Sequence, residues 1–204
     1  MYMSDYIYKI CVFGNYNTGK TSFLNYLQKF KYVDYYEPTI GVEYSSKTMP
    51  LPNDETVKLT FWDCAGQERF HSVTDNFFKD VTAGLLFFDI TNKKSYESII
   101  RWVEKFRKNN DKNIPIVLVG NKIDKENRVI SKHDVYILAT DYNLSYIEIS
   151  VKKGINIMNT IDLLVDKIYS QKDENNNIIK NEEKRSLLLN EKQYRYSCSE
   201  CCIC

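Results

Sequence analysis

The fold of this chain is decided by the stretch Gly14-Asn15-Tyr16-Asn17-Thr18-Gly19-Lys20-Thr21. It lies between an apolar run, Ile7–Phe13, and a helix-like run, Ser22–Phe30, which is the strand–loop–helix context of a phosphate-binding loop. Its two glycines let the backbone bend around an anion, because they have no Cβ. Successive N–H groups and a helix N-terminus then point at the phosphates, while Lys20 and Thr21 can reach phosphate oxygens and Mg²⁺. A glycine-containing turn that matches the pattern by chance is the alternative.

The composition limits the classes of protein to which the chain can belong. With 204 residues, of which 43% are hydrophobic, it suits one domain of about 170 residues and a tail. A formal net charge of +1 gives no global attraction to nucleic acid, so we expect no nucleic-acid partner. We expect neither a signal peptide nor a membrane span, since the longest apolar runs are far shorter than ~18 residues. The six cysteines are not spaced like a disulfide framework, which favours a reducing, cytosolic compartment.

Hydrophobic periodicity and turn residues predict an α/β domain over residues 7–170, after a short leader over residues 1–6. The predicted strands are Ile7–Gly14, Gly41–Leu51, Glu55–Asp63, Gly84–Ile90, Pro115–Gly120 and Tyr146–Ile149. The predicted helices are Lys20–Phe30, Ser95–Asn109, Ser131–Tyr142 and Asn156–Tyr169, with Ser95 and Ser131 as caps, and the loop Cys64–Asp80 leads into another. The turn Pro52-Asn53-Asp54 makes the second and third strands an antiparallel hairpin. Strands that alternate with helices favour a mostly parallel sheet with helices on both faces.

Polar residues follow the predicted strands at their carboxyl ends, where ligands bind in folds of this kind. Asp63 ends the third strand and can hold Mg²⁺ through water. Gly66 can offer a backbone N–H to a γ-phosphate, because no side chain is in the way. Asn121–Asp124 and Ser150–Lys152 follow the last two strands. The pattern therefore predicts a ligand site along this edge of the sheet.

Five motifs carry a resemblance to the small Ras-like GTPases, in the same order and at similar spacing. They are Gly14–Thr21, Pro38-Thr39-Ile40-Gly41, Asp63–Gln67, Asn121–Asp124 and Ser150-Val151-Lys152. Within that superfamily the chain resembles a Rab, as seen in Ile40–Tyr44, Lys58–Phe70 and Leu86–Thr91. The resemblance covers residues 7–170. It implies a P-loop NTPase fold with a six-stranded, mostly parallel sheet, one antiparallel strand and helices on both faces.

The resemblance implies a site for GTP or GDP with Mg²⁺. The implied nucleotide-binding residues are Gly14, Asn15, Tyr16, Asn17, Thr18, Gly19, Lys20, Thr21, Ser22, Tyr32, Thr39, Gly66, Asn121, Lys122, Asp124, Ser150, Val151 and Lys152. The implied metal ligands are Thr21, Thr39 and Asp63. Lys20 and Gln67 are the implied catalytic residues, and Gln67 orients the attacking water.

The implied base contacts explain a preference for guanine. Asp124 can accept hydrogen bonds from guanine N1–H and from the 2-amino group, whereas adenine has neither donor. Sites of this kind reject such an analogue by about 10⁴–10⁵. Asn121 should brace the loop and the base, and the stem of Lys122 should lie along the base plane. The backbone N–H of Val151 should meet guanine O6; the family usually has alanine there. Tyr32 either stacks on the base or is one more surface tyrosine.

The resemblance also implies a switch that other proteins read. Loss of the γ-phosphate would release Thr39 and its loop. The implied effector interface consists of Ile40, Gly41, Val42, Tyr44, Trp62 and Phe77, although Trp62 could instead pack in the core. Slow intrinsic hydrolysis, on the order of 10⁻⁴–10⁻² s⁻¹, implies an activating protein. An exchange factor, a dissociation inhibitor and a prenylation escort are further implied partners.

The phosphate loop departs from the family pattern at three positions. Asn17 replaces a glycine, which is tolerated because asparagine can adopt a left-handed backbone. Thr18 replaces a valine, which is a mild change. Tyr16 replaces a small residue, and its side chain would project toward the γ-phosphate, Gln67 and any inserted arginine finger. Tyr16 either makes hydrolysis slow or dependent on an activator, or it swings into solvent without effect. Asp80-Val81 also replaces the usual Gly-Ala.

The tail, residues 171–204, has balanced basic and acidic residues and so offers no polybasic attraction to anionic lipid. It ends in Cys201-Cys202-Ile203-Cys204. Cys202 and Cys204 form a C-x-C end similar to that of doubly geranylgeranylated Rabs, and two lipids anchor a protein stably where one binds marginally. A C-a-a-X box beginning at Cys201 and a metal site of crowded cysteines are alternatives. The resemblance implies a lipid-anchored protein on the cytosolic face of an endomembrane, with a cytosolic pool.

Together, the motifs and the tail indicate a Rab-like GTPase that hydrolyses GTP slowly and regulates vesicle and membrane traffic. One alternative is a GTP-binding interaction protein with impaired hydrolysis, which Tyr16 favours and the presence of Gln67 opposes. A second alternative is an ATP-using P-loop enzyme, which Asn121–Asp124 opposes.

Overall fold

The computed structural model describes residues 6–32, 42–50, 56–64 and 77–171. The chain divides into two units, Met1–Ile168 and Tyr169–Cys204, and the sheet and the candidate site belong to the first. The predicted turn Pro52-Asn53-Asp54 and most of the predicted loop after Cys64 lie outside the described residues.

The described strands are β1 (Tyr6–Gly14), β2 (Val42–Pro50), β3 (Thr56–Cys64), β4 (Ala83–Asp89), β5 (Ile116–Asn121) and β6 (Ser145–Glu148). They form one six-stranded sheet in the order β2-β3-β1-β4-β5-β6. β2 runs antiparallel to β3, and the other neighbouring strands are parallel. The predicted α/β architecture and its antiparallel hairpin are confirmed, and each strand begins and ends within one residue of its predicted bounds.

The described helices are α1 (Lys20–Lys29), α2 (Lys93–Glu97), α3 (Ile99–Asn109), α4 (Lys132–Asp141) and α5 (157–171). Helices cover both faces of the sheet, because α1 and α3 contact side chains that point in opposite directions. Phe23 of α1 meets Phe87 of β4, with ring centroids 5.2 Å apart. Phe106 of α3 instead stacks on Phe13. Phe13 pairs in register with Leu86, which precedes Phe87 in β4. Successive side chains of a strand point to opposite faces, so α1 and α3 lie on different faces of the sheet. None of the helices in the described part of the chain has the length and apolar character of a membrane span.

The core fixes the end of β1 at the point where the phosphate loop begins. Every residue of β4 and β5 is buried, as expected for parallel strands covered on both faces. Phe13 stacks on Phe106 with centroids 5.1 Å apart, and the ring of Phe78 meets both edge on. Phe78 precedes a bend at Asp80, whose φ of +55° lies in the left-handed region that glycine adopts most easily. This backbone explains why glycine is usual at the position of Asp80.

The prediction that Ser95 caps a helix is wrong. The segment forms two helices, α2 and α3, and the N-cap of α2 is Asn92, whose side-chain oxygen accepts from the Ser95 N–H at 3.3 Å. Ser95 is buried one turn further on, where its hydroxyl accepts from the Asp89 N–H (3.0 Å) and donates to the Asn92 carbonyl (2.7 Å). Ser95 therefore connects α2 to the end of β4, and its hydroxyl is already engaged in these bonds instead of capping a helix.

The predicted cap of α4 is confirmed. The Ser131 hydroxyl accepts from the backbone N–H of Asp134 at 3.0 Å, and α4 begins at the next residue, Lys132. This helix follows the loop that begins after Asn121, so its cap fixes the chain beyond that part of the candidate site.

Candidate functional site

The phosphate loop joins the carboxyl end of β1 to the N-terminus of α1. Gly14 and Gly19 have φ values of +130° and +98°, which L-residues with a Cβ rarely adopt. A Cβ on Gly14 would collide with the Phe87 carbonyl oxygen, and one on Gly19 would collide with the side-chain amide of Asn121. The N-cap of α1 is Gly19, which has no side chain to cap the helix, and a helix N-terminus without a side-chain cap suits an anion.

The ammonium group of Lys20 lies inside the loop. Lys20 is 6% exposed, and its Nζ donates to the carbonyl oxygens of Gly14 (3.0 Å) and Asn15 (2.9 Å). Burial lowers the pKa of Lys20 to about 8, and the nearby charge of Asp63 opposes this shift only in part. The geometry directs one cation toward the space enclosed by the loop, which suits a phosphate.

Asp63 and Thr21 form the candidate metal centre. The Thr21 hydroxyl donates to Asp63 Oδ2 at 2.5 Å. Asp63 is fully buried, and its Oδ1 has no hydrogen-bond partner within the described part of the chain. Burial raises the pKa of Asp63 to about 6, although Lys20 and Thr21 favour its charged form. A buried carboxylate oxygen without a partner beside a hydroxyl fits the oxygen ligands that Mg²⁺ prefers.

Asn121 connects the phosphate loop to the two loops beyond β5 and β6. Its amide nitrogen donates to the Thr18 carbonyl at 2.9 Å. Its Oδ1 accepts from the backbone N–H groups of Lys122 (2.7 Å) and Val151 (3.3 Å). One buried side chain therefore holds three loops together at the edge where the sequence predicts a ligand.

Lys122 crosses from the loop after β5 to the phosphate loop. Its Nζ donates to the Asn17 carbonyl at 2.7 Å and forms an ion pair with Asp89 Oδ2 at 2.7 Å. Burial alone would raise the pKa of Asp89, but hydrogen bonds from Lys122 and Thr91 outweigh it and lower that pKa below its ordinary value. The two contacts fix the Lys122 ammonium group between Asp89 and the phosphate loop.

Asp124 is held by the loop after β6. The Ser150 hydroxyl donates to Asp124 Oδ1 at 2.5 Å and accepts from the Lys153 N–H at 3.1 Å. Val151 is 2% exposed, so the core accommodates its side chain where alanine is usual. Gly154, with φ of +68°, closes this loop against Tyr26 of α1, and a Cβ there would collide with the tyrosine hydroxyl.

The three unusual residues of the phosphate loop differ in backbone conformation and burial. Asn17 has φ of +60°, which confirms the predicted left-handed backbone. Thr18 is buried, and its hydroxyl donates to the Asn15 carbonyl at 2.8 Å. Tyr16 is 50% exposed, so its ring lies at the surface of the loop.

Three predicted effector residues come together, two of them on neighbouring strands of the sheet. Tyr44 of β2 meets Trp62 of β3 edge on, with ring centroids 5.7 Å apart, and Phe77 lies 6.2 Å from Trp62. Tyr44 is 53% exposed, and Lys9 Nζ lies 5.1 Å from the Trp62 ring centroid. Trp62 is half-buried, so it does not belong to the fully packed core.

Several predicted residues cannot be placed in the site. Thr39, Ile40, Gly41, Gly66, Gln67, Cys202 and Cys204 lie outside the described residues, as does the side chain of Val42. Tyr32 is described and half-buried, at the end of the first described segment. The roles of these residues stay predictions.

The sequence motifs assign no role to two sets of residues that support the candidate site. Asp89 pairs with Lys122 and accepts from the Thr91 hydroxyl, and the signal for Asp89 is a carboxylate at the end of a buried strand. Ser98 and Trp102 bind the side chain of Asn15, and no local pattern marks them because they lie 83 and 87 residues away along the chain.

A phosphate loop after β1, a buried carboxylate at the end of β3 and two polar loops at the same sheet edge define an α/β protein of the P-loop class. The model of the Ras family matches residues 9–170. Among similar proteins, the Ras-related protein Rab11A of Nicotiana tabacum is 32% identical over 81% of this chain and 76% of its own length. The GTP-binding protein Rab-3D of Rattus norvegicus and the Ras-related protein Rab-3A of Homo sapiens are each 34% identical, over 83% of this chain and 78% and 77% of their own. The chain belongs to the Ras family and is a Rab-like small GTPase.

Proposed function

We propose that the chain is a switch that binds GTP and GDP with Mg²⁺, hydrolyses GTP slowly and regulates vesicle traffic. The observation that carries the proposal is the position of Asn121, whose side chain joins the phosphate loop to both loops predicted to hold the base. A site built in this way suits a ligand that reaches from a base to a chain of phosphates.

The guanine end is supported by the fixed carboxylate of Asp124. Ser150 holds Oδ1 of Asp124, which orients the group toward a base with two adjacent N–H donors. Guanine has these donors and adenine lacks them, so adenine would leave a carboxylate unpaired. The Val151 N–H makes a long hydrogen bond of 3.3 Å to Asn121, which it can exchange for guanine O6. Tyr32 is proposed to stack on the base.

The phosphate end is supported by two buried groups of opposite charge. Burial disfavours the charged form of both Lys20 and Asp63. A phosphate beside Lys20 and a divalent cation beside Asp63 would each restore the charged form. Bound Mg²⁺ supplies charge neutralisation at the phosphate oxygens. Thr21 and Asp63 would hold it together with Thr39, and Gln67 would orient the attacking water.

The switch function rests on surfaces next to this site. Tyr44, Trp62 and Phe77 present partly exposed rings that an effector could bind. Thr39–Val42 would join them in the GTP state. Because intrinsic hydrolysis is slow in sites of this kind, an activating protein is proposed as a partner. An exchange factor is a further proposed partner.

Membrane attachment is proposed through Cys202 and Cys204. Two geranylgeranyl groups would anchor the protein to the cytosolic face of an endomembrane, and a dissociation inhibitor and a prenylation escort would maintain a cytosolic pool. The similar proteins named Rab support this assignment to membrane traffic.

Tyr16 supports a second candidate, a GTP-binding interaction protein with impaired hydrolysis. Its ring is half exposed at the surface of the phosphate loop, where the family has a small residue. In that position the ring can obstruct Gln67 or an arginine supplied by an activating protein.

The test of nucleotide choice is competition against fluorescent mant-GDP bound to the full chain with Mg²⁺. We expect GDP and GTP to displace mant-GDP at concentrations of the same order, and ATP to need at least about a 10³-fold higher concentration. The matched variant is Asp124→Asn, because an asparagine amide can donate to the 2-carbonyl of xanthine. This variant should no longer bind guanine nucleotides and should bind xanthosine diphosphate instead. Equal competition by ATP, or a folded protein that binds no mant-GDP, would contradict the proposal.

A further inference from the structure

The side chain of Asn15 is hydrogen bonded at both ends to helix α3 and the residue before it. Trp102 donates its indole N–H to Asn15 Oδ1 at 2.7 Å. Asn15 Nδ2 in turn donates to the Ser98 hydroxyl oxygen at 3.0 Å. Asn15 lies in the phosphate loop, so these two bonds tie that loop to an element that contributes none of its predicted nucleotide ligands.

The hydrogen bonds form a directed chain. The Ser98 hydroxyl accepts from Asn15 and donates its own proton to the Lys94 carbonyl at 2.7 Å. The chain therefore runs from Trp102 through Asn15 and Ser98 to the backbone of α2. Trp102 is 4% exposed, and a buried indole N–H requires a partner.

The backbone of Asn15 binds two other side chains of the phosphate loop. Its carbonyl oxygen accepts from Lys20 Nζ at 2.9 Å and from the Thr18 hydroxyl at 2.8 Å. A side chain fixed at both ends leaves the Asn15 peptide little freedom to rotate. The orientation of the Lys20 ammonium thus depends on bonds made by α3.

We infer that Trp102 and Ser98 are positioning residues of the phosphate loop, which act through Asn15 to slow the release of bound nucleotide. This inference rests on the proposed function, because it names what controls the same site. The Trp102 ring also packs against Phe13, with centroids 6.1 Å apart, so the indole is held at the end of β1. A movement of α3 would reach Lys20 through a single side chain.

The experiment measures release of mant-GDP from the full chain in excess GDP. Asn15→Leu removes both bonds and keeps the branching of the side chain, and Trp102→Phe keeps a ring but removes the N–H. Each should accelerate release about threefold to tenfold, since a buried hydrogen-bonding group loses its partner. Ser98→Ala, which breaks only the second bond, should accelerate it about twofold to threefold.

A double-mutant cycle separates positioning from simple destabilisation. If Trp102 acts through Asn15, release from Asn15→Leu with Trp102→Phe should be no faster than from the faster single variant. Val103→Ala is the matched control, because Val103 is buried on the same helix and has no hydrogen bond to the loop. It should lower the melting temperature yet leave the release rate within twofold.

An indole N–H signal gives a second readout. The chain has two tryptophans, so the signal that disappears in Trp102→Phe identifies the residue. That signal should move in Asn15→Leu, while the signal of Trp62 stays in place.

Three results would overturn the inference: independent effects that multiply in the double variant, release from Trp102→Phe within twofold of wild type, or acceleration by Val103→Ala equal to that of Trp102→Phe. In each of these cases wild type still binds mant-GDP, so the proposed function survives. Wild-type protein that binds no mant-GDP would remove the nucleotide site and the inference together.

Discussion

The Ser150 hydroxyl lies 2.5 Å from Asp124 Oδ1, across two loops that are 26 residues apart in sequence. The same hydroxyl accepts from the Lys153 N–H at 3.1 Å. Ser150 is fully buried, and Asp124 beside it is half-buried. Asp124 is therefore oriented before any base arrives, and the loop after β6 provides that orientation.

Ser150→Ala should accelerate mant-GDP release about threefold to tenfold, because Asp124 loses a hydrogen bond that is assisted by its charge. Selection against ATP should persist, since the carboxylate itself remains. Stopped-flow measurement of release, followed by ATP competition, checks both expectations. Ser145→Ala at the start of β6 is the control and should release nucleotide at the wild-type rate. A Ser150→Ala variant with unchanged release would mean that Asp124 needs no support from this hydroxyl.

The sheet and both ends of the candidate site could be predicted from local sequence. A Cβ on Gly14 or Gly19 would collide with Phe87 or Asn121, respectively. The folded chain therefore requires glycine at these two positions of the motif. β4 and β5 are apolar throughout because both of their faces are covered, and their ends could be predicted within one residue.

The rest depends on contacts between distant residues. Asn92 and Ser95 are both residue types that cap helices, and local sequence cannot choose between them. The choice is made by β4, since the Asp89 backbone occupies the Ser95 hydroxyl. Trp102 similarly has an apolar helix position typical of the core, and its bond to Asn15 follows only from the placement of α3 beside the loop.

The contacts of Glu148 predict how the free energy of unfolding depends on pH. Its Oε1 accepts from the Tyr146 hydroxyl (2.6 Å) and pairs with Arg128 (2.7 Å), and Oε2 lies 3.4 Å from Lys132 Nζ. Burial would raise the pKa of Glu148, but these partners outweigh it and lower that pKa below its ordinary 4.5. A carboxyl group whose pKa is lower in the folded than in the unfolded state stabilises the fold at pH values above its unfolded pKa. This stabilisation is lost as the pH falls through the folded pKa.

Glu148→Gln should therefore lower the free energy of unfolding at pH 7 by about 1 kcal/mol, and the difference from wild type should shrink below pH about 4.5. Urea titrations at both pH values measure it. The control is Glu97→Gln, because Glu97 pairs with Lys93 at 3.7 Å on an exposed helix face and should contribute little. A difference that grows as the pH falls would contradict the assignment.

Replacing both Cys202 and Cys204 with serine should move the protein from membranes to the soluble fraction of cells. One lipid binds a bilayer marginally and reversibly, so each single variant should be divided between the fractions. Fractionation of cells that express the chain with its own C-terminus measures this. Cys198→Ser lies outside the C-x-C end and serves as the control. Membrane association that persists in the double variant would exclude these cysteines as the anchor.

The ring of Tyr16 is expected to lengthen the lifetime of the GTP state. Its ring is half exposed on the phosphate loop, next to the position predicted for the γ-phosphate. Tyr16→Gly and Tyr16→Ser remove that ring, so hydrolysis should accelerate about tenfold, equal to about 1.4 kcal/mol of barrier. Single-turnover phosphate release from GTP-loaded protein measures the rate, with and without an activating protein. Tyr136→Ser is the control, because Tyr136 is an exposed tyrosine of α4 and should leave the rate unchanged. An unchanged rate in both Tyr16 variants, also with an activating protein present, would show that the ring stays clear of the reaction, and the candidate with impaired hydrolysis would then lose its support.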